Sequence, residues 1–149
     1  MKSLFNKTDN QEMIDRINKL GSNSKAQWGK MNVSQMVLHM QQPLRVAFGE
    51  LKLKRTFIGI LFGGIAKKKL AGPQPFPRDM PTDKNFIVST KPNFEVEKKK
   101  LIILVQRFAE KGPSGIMQEP YPFFGKLTTQ EWDSLQWKHL DHHLRQFEE

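Results

Sequence analysis

The sequence TTQEWDSLQWKHLDHHLRQF, from Thr128 to Phe147, has the pattern of one amphipathic helix and carries three of the four histidines in the chain. Glu131 follows Thr128 at the spacing of a capping box, which marks a helix start. His139 and His143 are four residues apart, so a helix places them on one side, about 40° from each other. They lie within or beside the apolar stripe of the same helix. Two imidazoles in this arrangement can share a metal ion.

Three other segments have the apolar period and the end signals of helices. The first is expected to be capped by Thr8 or Asp9, and Gln35 completes a capping box at the start of the second. Pro43 is expected to bend the end of the second helix. The expected bounds are about Asp9–Leu20, from Asn32 through Leu44, and from near Asn93 to the residue before Gly112.

The middle of the chain is a long connection, roughly from Phe48 to Pro92. Its part Thr56–Leu70 could form an extra helix, although three glycines weaken that prediction. The following stretch AGPQPFPRDMPTDKNF holds four prolines and is expected to be irregular. Residues Gly112–Lys126 form a second irregular link. With no convincing strand pattern, the sequence predicts an all-α domain over residues 1–149, a four-helix bundle with one Pro-rich crossover between the second and third of its long helices.

The composition excludes several kinds of site and partner. The chain has no cysteine, which rules out disulfides, thiolate zinc sites and a cysteine nucleophile. The longest apolar stretch, Phe57–Ala66, is too short to span a bilayer, so we expect a cytoplasmic protein without a membrane partner. The net charge of +9 favours anionic partners or a solvated surface, and the absence of a nucleic-acid motif argues against nucleic acid. The charge is clustered at Lys52, Lys54 and Arg55, at Lys67–Lys69 and at Lys98–Lys100.

The fourth histidine, His39, lies on the second predicted helix at the edge of a methionine-rich stripe. A folded bundle can bring it to His139 and His143 as a third metal ligand, leaving a position open for water or substrate. His142 falls about 60° from His139, pointing away from His143, and is left outside the ligand set. Two partly buried rings bonded to carbonyls or water, without metal, are the alternative for His139 and His143. The HxxxH spacing alone is a weak motif, and the glutamate of the HExxH protease motif is missing.

Several polar and aromatic residues near the histidines are candidates for supporting roles. Three glutamines and His142 could orient a ligating imidazole or a bound water. Water-bonded surface residues are the alternative for the glutamines. Two tryptophans could form the pocket wall or belong to the core. The supporting candidates are Gln146, Gln136, Gln42 and His142, and the wall candidates are Trp132 and Trp28. The side of the last helix facing away from the histidines, with Lys138, Asp141 and Arg145, is expected to face solvent.

The fragments AQWGKMNVSQMVLHM, PFFGKLTTQEW and KHLDHHLRQF resemble the DinB/YfiT-like superfamily of metal-binding four-helix bundles. More narrowly, they resemble a branch that is filed as a domain of unknown function. The family pattern is one histidine on the second helix and HxxxHxxQ on the last. His39, His139, His143 and Gln146 occupy these positions, and the resemblance covers nearly the whole chain.

The resemblance implies a divalent ion, commonly zinc or nickel, held by the three histidines. Relatives include S-transferases that use a low-molecular-weight thiol as co-substrate, and hydrolase-like members. It therefore implies an enzyme acting on a small, anionic or thiol-containing molecule, with the metal activating a bound thiol or water. A stress or interaction protein without catalysis is the first alternative, and a basic nucleic-acid binder, suggested by the net charge of +9, is the second. The substrate and the oligomeric state stay open, and a homodimer is one option.

Overall fold

The computed structural model describes residues 2–54, 57–72, 74–78, 82–117 and 119–149, with the side chains of residues 58, 62, 66 and 69–71 excepted. This part of the chain folds into five α-helices and contains no strand, only an isolated bridge between Tyr121 and Gly125. The all-α prediction is therefore confirmed. The helices are α1 (Lys7–Lys19), α2 (Val33–Ala47), α3 (Phe57–Ala71), α4 (Phe94–Lys111) and α5 (Thr129–Gln146).

Capping side chains begin the helices at the expected places, with one exception. Asn32 and Thr128 form capping boxes at the starts of α2 and α5, and Asn93 accepts a bond from a backbone N–H in α4. The predicted cap of α1 was wrong. Its cap is Asn6, whose side chain accepts the backbone N–H groups of Thr8 and Asp9, so the helix begins earlier than its apolar stripe suggests.

Pro43 lies inside α2 and does not end it, because the helix continues to Ala47. Proline has no N–H to donate, so the carbonyl of His39, four residues earlier, lacks its usual helical partner. The extra helix in the crossover is present as α3, Phe57–Ala71. Its predicted first residue, Thr56, lies outside the described residues, as does Arg55. The rest of the described crossover is irregular except for a 3₁₀ turn at Lys84–Phe86.

The core lies between the long helices. α2 packs against α4 and α5, α1 packs against the same two helices, and α3 contacts α5. The most deeply buried apolar side chains include Met13, Ile17, Met36, Met40, Leu101, Phe108, Leu140 and Leu144. Among the described helices, none is both long and apolar enough to cross a membrane. This packing sets α2 beside α5, so the two helices that carry the histidines face each other.

Candidate metal centre

His39 on α2 and His139 and His143 on α5 meet in one cluster, although a hundred residues separate the first two. The distance between ring centroids is 5.0 Å for His39 and His139, and 4.7 Å from His143 to each of the others. One ring nitrogen of each residue lies within 4.8 Å of the others, and no carboxylate belongs to the group. The three imidazoles therefore form a compact, uncharged triangle that can hold a metal ion.

The ring of His39 is fixed by a backbone carbonyl from the crossover. Its Nδ1 lies 2.9 Å from the carbonyl oxygen of Phe86, in the 3₁₀ turn after the proline-rich segment. A carbonyl oxygen can only accept, so Nδ1 carries the proton and Nε2 keeps its lone pair. That Nε2 points to the cluster, 3.0 Å from Nε2 of His139. Such a bond on the remote nitrogen is typical of metal-ligating histidines.

His143 is oriented by a chain of three groups. Gln146 donates from Nε2 to the carbonyl oxygen of Trp28 at 2.6 Å, which leaves its Oε1 to accept. Oε1 lies 3.0 Å from Nδ1 of His143, so this nitrogen carries the proton and Nε2 is free. The carbonyl can approach because Gly29 follows it with φ of +82°, and a Cβ there would lie 2.4 Å from Nε2 of Gln146. A glycine is therefore required next to the tryptophan.

His139 has no such support. Its Nδ1 is buried and has no hydrogen-bond partner among the residues that the structure describes. Without a cation, the short contact between the Nε2 atoms of His139 and His39 requires a proton on His139, which leaves Nδ1 as an unpaired acceptor. With a cation, Nε2 can serve as a ligand and the proton moves to Nδ1. An unpaired buried nitrogen is uncommon in a native fold.

Burial keeps all three imidazoles neutral, which is the state that binds a metal. Desolvation and, to a smaller extent, the positive charge that His39 would carry lower the pKa of His143 from 6.5 to about 3, although the bond to Gln146 opposes the shift. Desolvation also lowers the pKa of His39, and that of His139 well below its ordinary value. The cluster is therefore uncharged at neutral pH, and a bound divalent cation would keep its full charge.

One nitrogen–nitrogen distance in the cluster fits a shared ion. Zinc binds imidazole nitrogen at about 2.0–2.1 Å, so two such ligands on one ion lie about 3 Å or slightly more apart. The Nε2 atoms of His39 and His139, 3.0 Å apart, meet this condition. The protons of His39 and His143 are bound on the far side of each ring, as ligation requires. The residues therefore suit a divalent cation with nitrogen ligands.

Within the described ranges of the chain, the other two predicted glutamines form no hydrogen bond with the histidines. Gln136 is fully buried and donates from Nε2 to the carbonyl oxygen of Pro43, which ties α5 to α2 one turn from His39. In the described part of the chain, Oε1 of Gln136 and Oε1 of Gln42 are buried without a partner. Trp132 is 1% exposed and packs edge-on against Tyr121, 5.3 Å between centroids, so it belongs to the core.

Trp28 and His142 lie on the outer side of the cluster. The ring of His142 is 5.0 Å from that of His143 and 5.9 Å from that of Trp28. The helical angle alone had placed His142 away from His143, and this was wrong, because the rings of these adjacent residues are in contact. Both residues line a cleft of about 320 Å³.

Lys138 does not face solvent as expected. It is 6% exposed, and its Nζ donates to the carbonyl oxygen of Gly72, just after α3. The crossover covers this side of α5, which a single helix cannot reveal. Asp141 is partly buried and bonds to Arg16 at 2.9 Å, whereas Arg145 is exposed as predicted. The carbonyl oxygens of Phe86 and Trp28 were not predicted, and only the Trp28–Gly29 pair in the sequence could have indicated one of them.

These features define a class: an all-α protein with a three-histidine cluster that can bind metal between two of its helices. The chain belongs to the family described as protein of unknown function (DUF1569), whose family model matches residues 2–149. No curated protein and no solved structure matches the chain.

Proposed function

We propose that the protein is a divalent-metal-dependent enzyme with zinc or nickel bound by His39, His139 and His143. The proposal places these ligands in a single domain over residues 1–149, a four-helix bundle of the DinB type formed by α1, α2, α4 and α5. The reaction class is transfer of a low-molecular-weight thiol or hydrolysis. Gln146 and the carbonyl oxygen of Phe86 are the groups that orient two of the ligands.

One observation carries the proposal: three neutral imidazoles converge, and the two whose protons can be assigned direct their lone pairs inward. A purely structural cluster would gain by pairing its buried nitrogens, yet Nδ1 of His139 has no partner in the described residues. A metal ion accounts for the inward lone pairs, because it binds them and offsets the cost of burying polar rings.

The bound ion would lower the pKa of a thiol or water beside it and polarise a substrate oxygen. The protein supplies the orientation. The carbonyl oxygen of Phe86 holds His39 and Oε1 of Gln146 holds His143, so both rings are fixed before an ion arrives. Such preorganisation lowers the cost of binding. His139 is partly exposed, whereas His39 and His143 are buried, so His139 is the ligand that solvent can reach.

The first experiment is elemental analysis of protein purified without a histidine tag. We expect about one zinc or nickel per chain, and we expect the single variants His139→Ala and His143→Ala to lose stoichiometric metal. His142→Ala should keep it, because His142 touches the cluster from outside. Retention of metal in both His139→Ala and His143→Ala, or an equal loss in His142→Ala, would contradict the ligand assignment.

A second experiment separates an enzyme from a metal-binding protein without catalysis. Metal-loaded protein is mixed with a small thiol, such as cysteine or glutathione, and an alkyl halide. A transferase forms the sulfur–carbon bond, releases the halide and passes the thiol proton to water. Turnover that disappears in His139→Ala supports the enzyme. A protein that holds its metal but catalyses neither this reaction nor ester hydrolysis is a metal-binding protein without catalysis.

A further inference from the structure

The cleft beside the candidate metal centre has walls of two kinds. Its apolar part consists of the indole of Trp28 and the crossover residues Pro75, Phe76 and Pro77. Its polar part consists of His142 and two arginines, Arg78 and Arg145. The volume of about 320 Å³ lies at the lower end of the range for small-molecule sites. The cleft therefore suits a small molecule that has both a flat or apolar part and a polar end.

The charge of the cleft is positive. The guanidinium of Arg78 lies 4.3 Å from the ring centre of Trp28, and stacking leaves the N–H groups at its edge available for an anion. Arg145 is more than half exposed and lies 3.6 Å from Asp141, whose other oxygen bonds to Arg16 at 2.9 Å. One carboxylate is thus shared between two guanidinium groups, so Arg145 keeps the capacity to bind a second anion.

The cleft is joined to the histidine cluster through two of its own residues. His142 has its ring 5.0 Å from that of His143 and 6.4 Å from that of Phe76. Trp28 presents its indole to the cleft and its carbonyl oxygen to Gln146, which in turn orients His143. A ligand in the cleft would therefore lie within one side-chain layer of the proposed metal ligands.

We infer that this cleft is the substrate site for an organic anion, a small molecule with a carboxylate or phosphate group next to a planar or apolar portion. Arg78 and Arg145 bind the anionic group, and Trp28 and Phe76 pack against the apolar portion. The inference deepens the proposed function and rests on it for the statement that the ligand is a substrate. The binding itself needs only the cleft.

The test is titration of the full chain with phenyl phosphate, followed by calorimetry or by NMR of the tryptophan indole signals. Inorganic phosphate and phenol serve as the two halves of the probe. We expect phenyl phosphate to bind about tenfold more tightly than either half, and the double variant Arg78→Ala/Arg145→Ala to lose about tenfold or more in affinity. The matched control is Arg45→Ala, an arginine on α2 that lies 3.8 Å from Glu50 and does not line the cleft.

Comparison of zinc-loaded and zinc-free protein separates this inference from the proposed function. Arginine-dependent binding in both forms supports the cleft, even if the chain then proves to hold no stoichiometric metal. If binding requires zinc and does not change in the double arginine variant, the phosphate binds the metal. That result overturns the inference but still supports the proposed metal centre. An equal loss of affinity in Arg45→Ala, or no binding of phenyl phosphate to well-folded, metal-loaded protein, also overturns it.

Discussion

The candidate metal centre and helix α3 are built by different means. In the centre, single hydrogen bonds fix the imidazoles: His39 donates to the carbonyl oxygen of Phe86, and His143 donates to Gln146, which donates to the carbonyl oxygen of Trp28. Helix α3 instead sets glycines against the backbone of the loop before α5, where a Cβ on Gly63 would lie 2.2 Å from the oxygen of Phe123. Its opposite face leaves apolar side chains exposed, namely Phe57, Ile60, Leu61 and Ile65.

The comparison separates directional contacts from steric ones. A group held by one hydrogen bond can be displaced without unfolding the helix that carries it, so a change near the centre should alter metal affinity more than stability. A helix that packs through glycines has no room for a methyl group, so a change there should alter stability more than metal affinity. Matched pairs of glycine variants can test this separation.

The largest effect is expected for Gly29→Ala. The added methyl would overlap the amide of Gln146, and alanine is strained at φ of +82°. Displacing the amide frees Nδ1 of His143 from its acceptor, and loss of such a supporting group weakens metal binding about 10–100-fold. Zinc affinity can be measured by competition with a chelating dye.

Gly112→Ala is the matched control for that variant. Gly112 also has positive φ, +59°, but a Cβ there meets nothing within 4 Å. The alanine should introduce backbone strain here too, but the zinc affinity should stay unchanged. If both alanine variants weaken zinc binding equally, backbone strain and not the position of Gln146 controls the affinity.

The next effect is on stability in α3. Gly63→Ala should lower the free energy of unfolding by about 1–3 kcal/mol, because the methyl cannot fit against the backbone of Phe123. Gly64→Ala, one residue later, meets nothing within 4 Å and should raise the stability by up to about 1 kcal/mol through helix propensity. Urea unfolding measures both. Equal effects in the two variants would mean that α3 does not pack on this loop.

A third expectation concerns pH in the metal-free protein. Folding lowers the pKa of His143 from 6.5 to about 3, so below pH 6.5 the unfolded chain binds a proton that the folded chain does not. Stability should therefore fall as the pH drops from about 6.5 toward 3, by up to about 1.4 kcal/mol per pH unit for each such histidine. His143→Gln should reduce this slope in urea unfolding with chelator present. An unchanged slope would show that His143 does not contribute.

The sequence predicted those parts of the centre that follow from helical spacing. His139 and His143 share a face because they are four residues apart, and the apolar stripe of α2 directed His39 inward. The carbonyl oxygens of Phe86 and Trp28 were not predicted, because they lie outside the long helices, in segments that have no apolar period in the sequence. Lys138 was misplaced for a related reason: a helical wheel treats α5 alone and contains nothing of the crossover that covers it.

The smallest effect is expected for a change at Lys138. This residue links the end of α3 to α5, the helix that carries two of the histidines. Its Nζ donates to the carbonyl oxygen of Gly72, where the end of α3 meets α5, and desolvation lowers its pKa. In Lys138→Met the loss of this bond is largely offset by removing a buried charge, so stability should change by less than about 1 kcal/mol. Zinc affinity should stay the same, because the bond lies on the other side of the helix from the cluster. A loss of several kcal/mol in urea unfolding would mean that one directional contact holds α3 in place, and the contrast between the two regions would no longer stand.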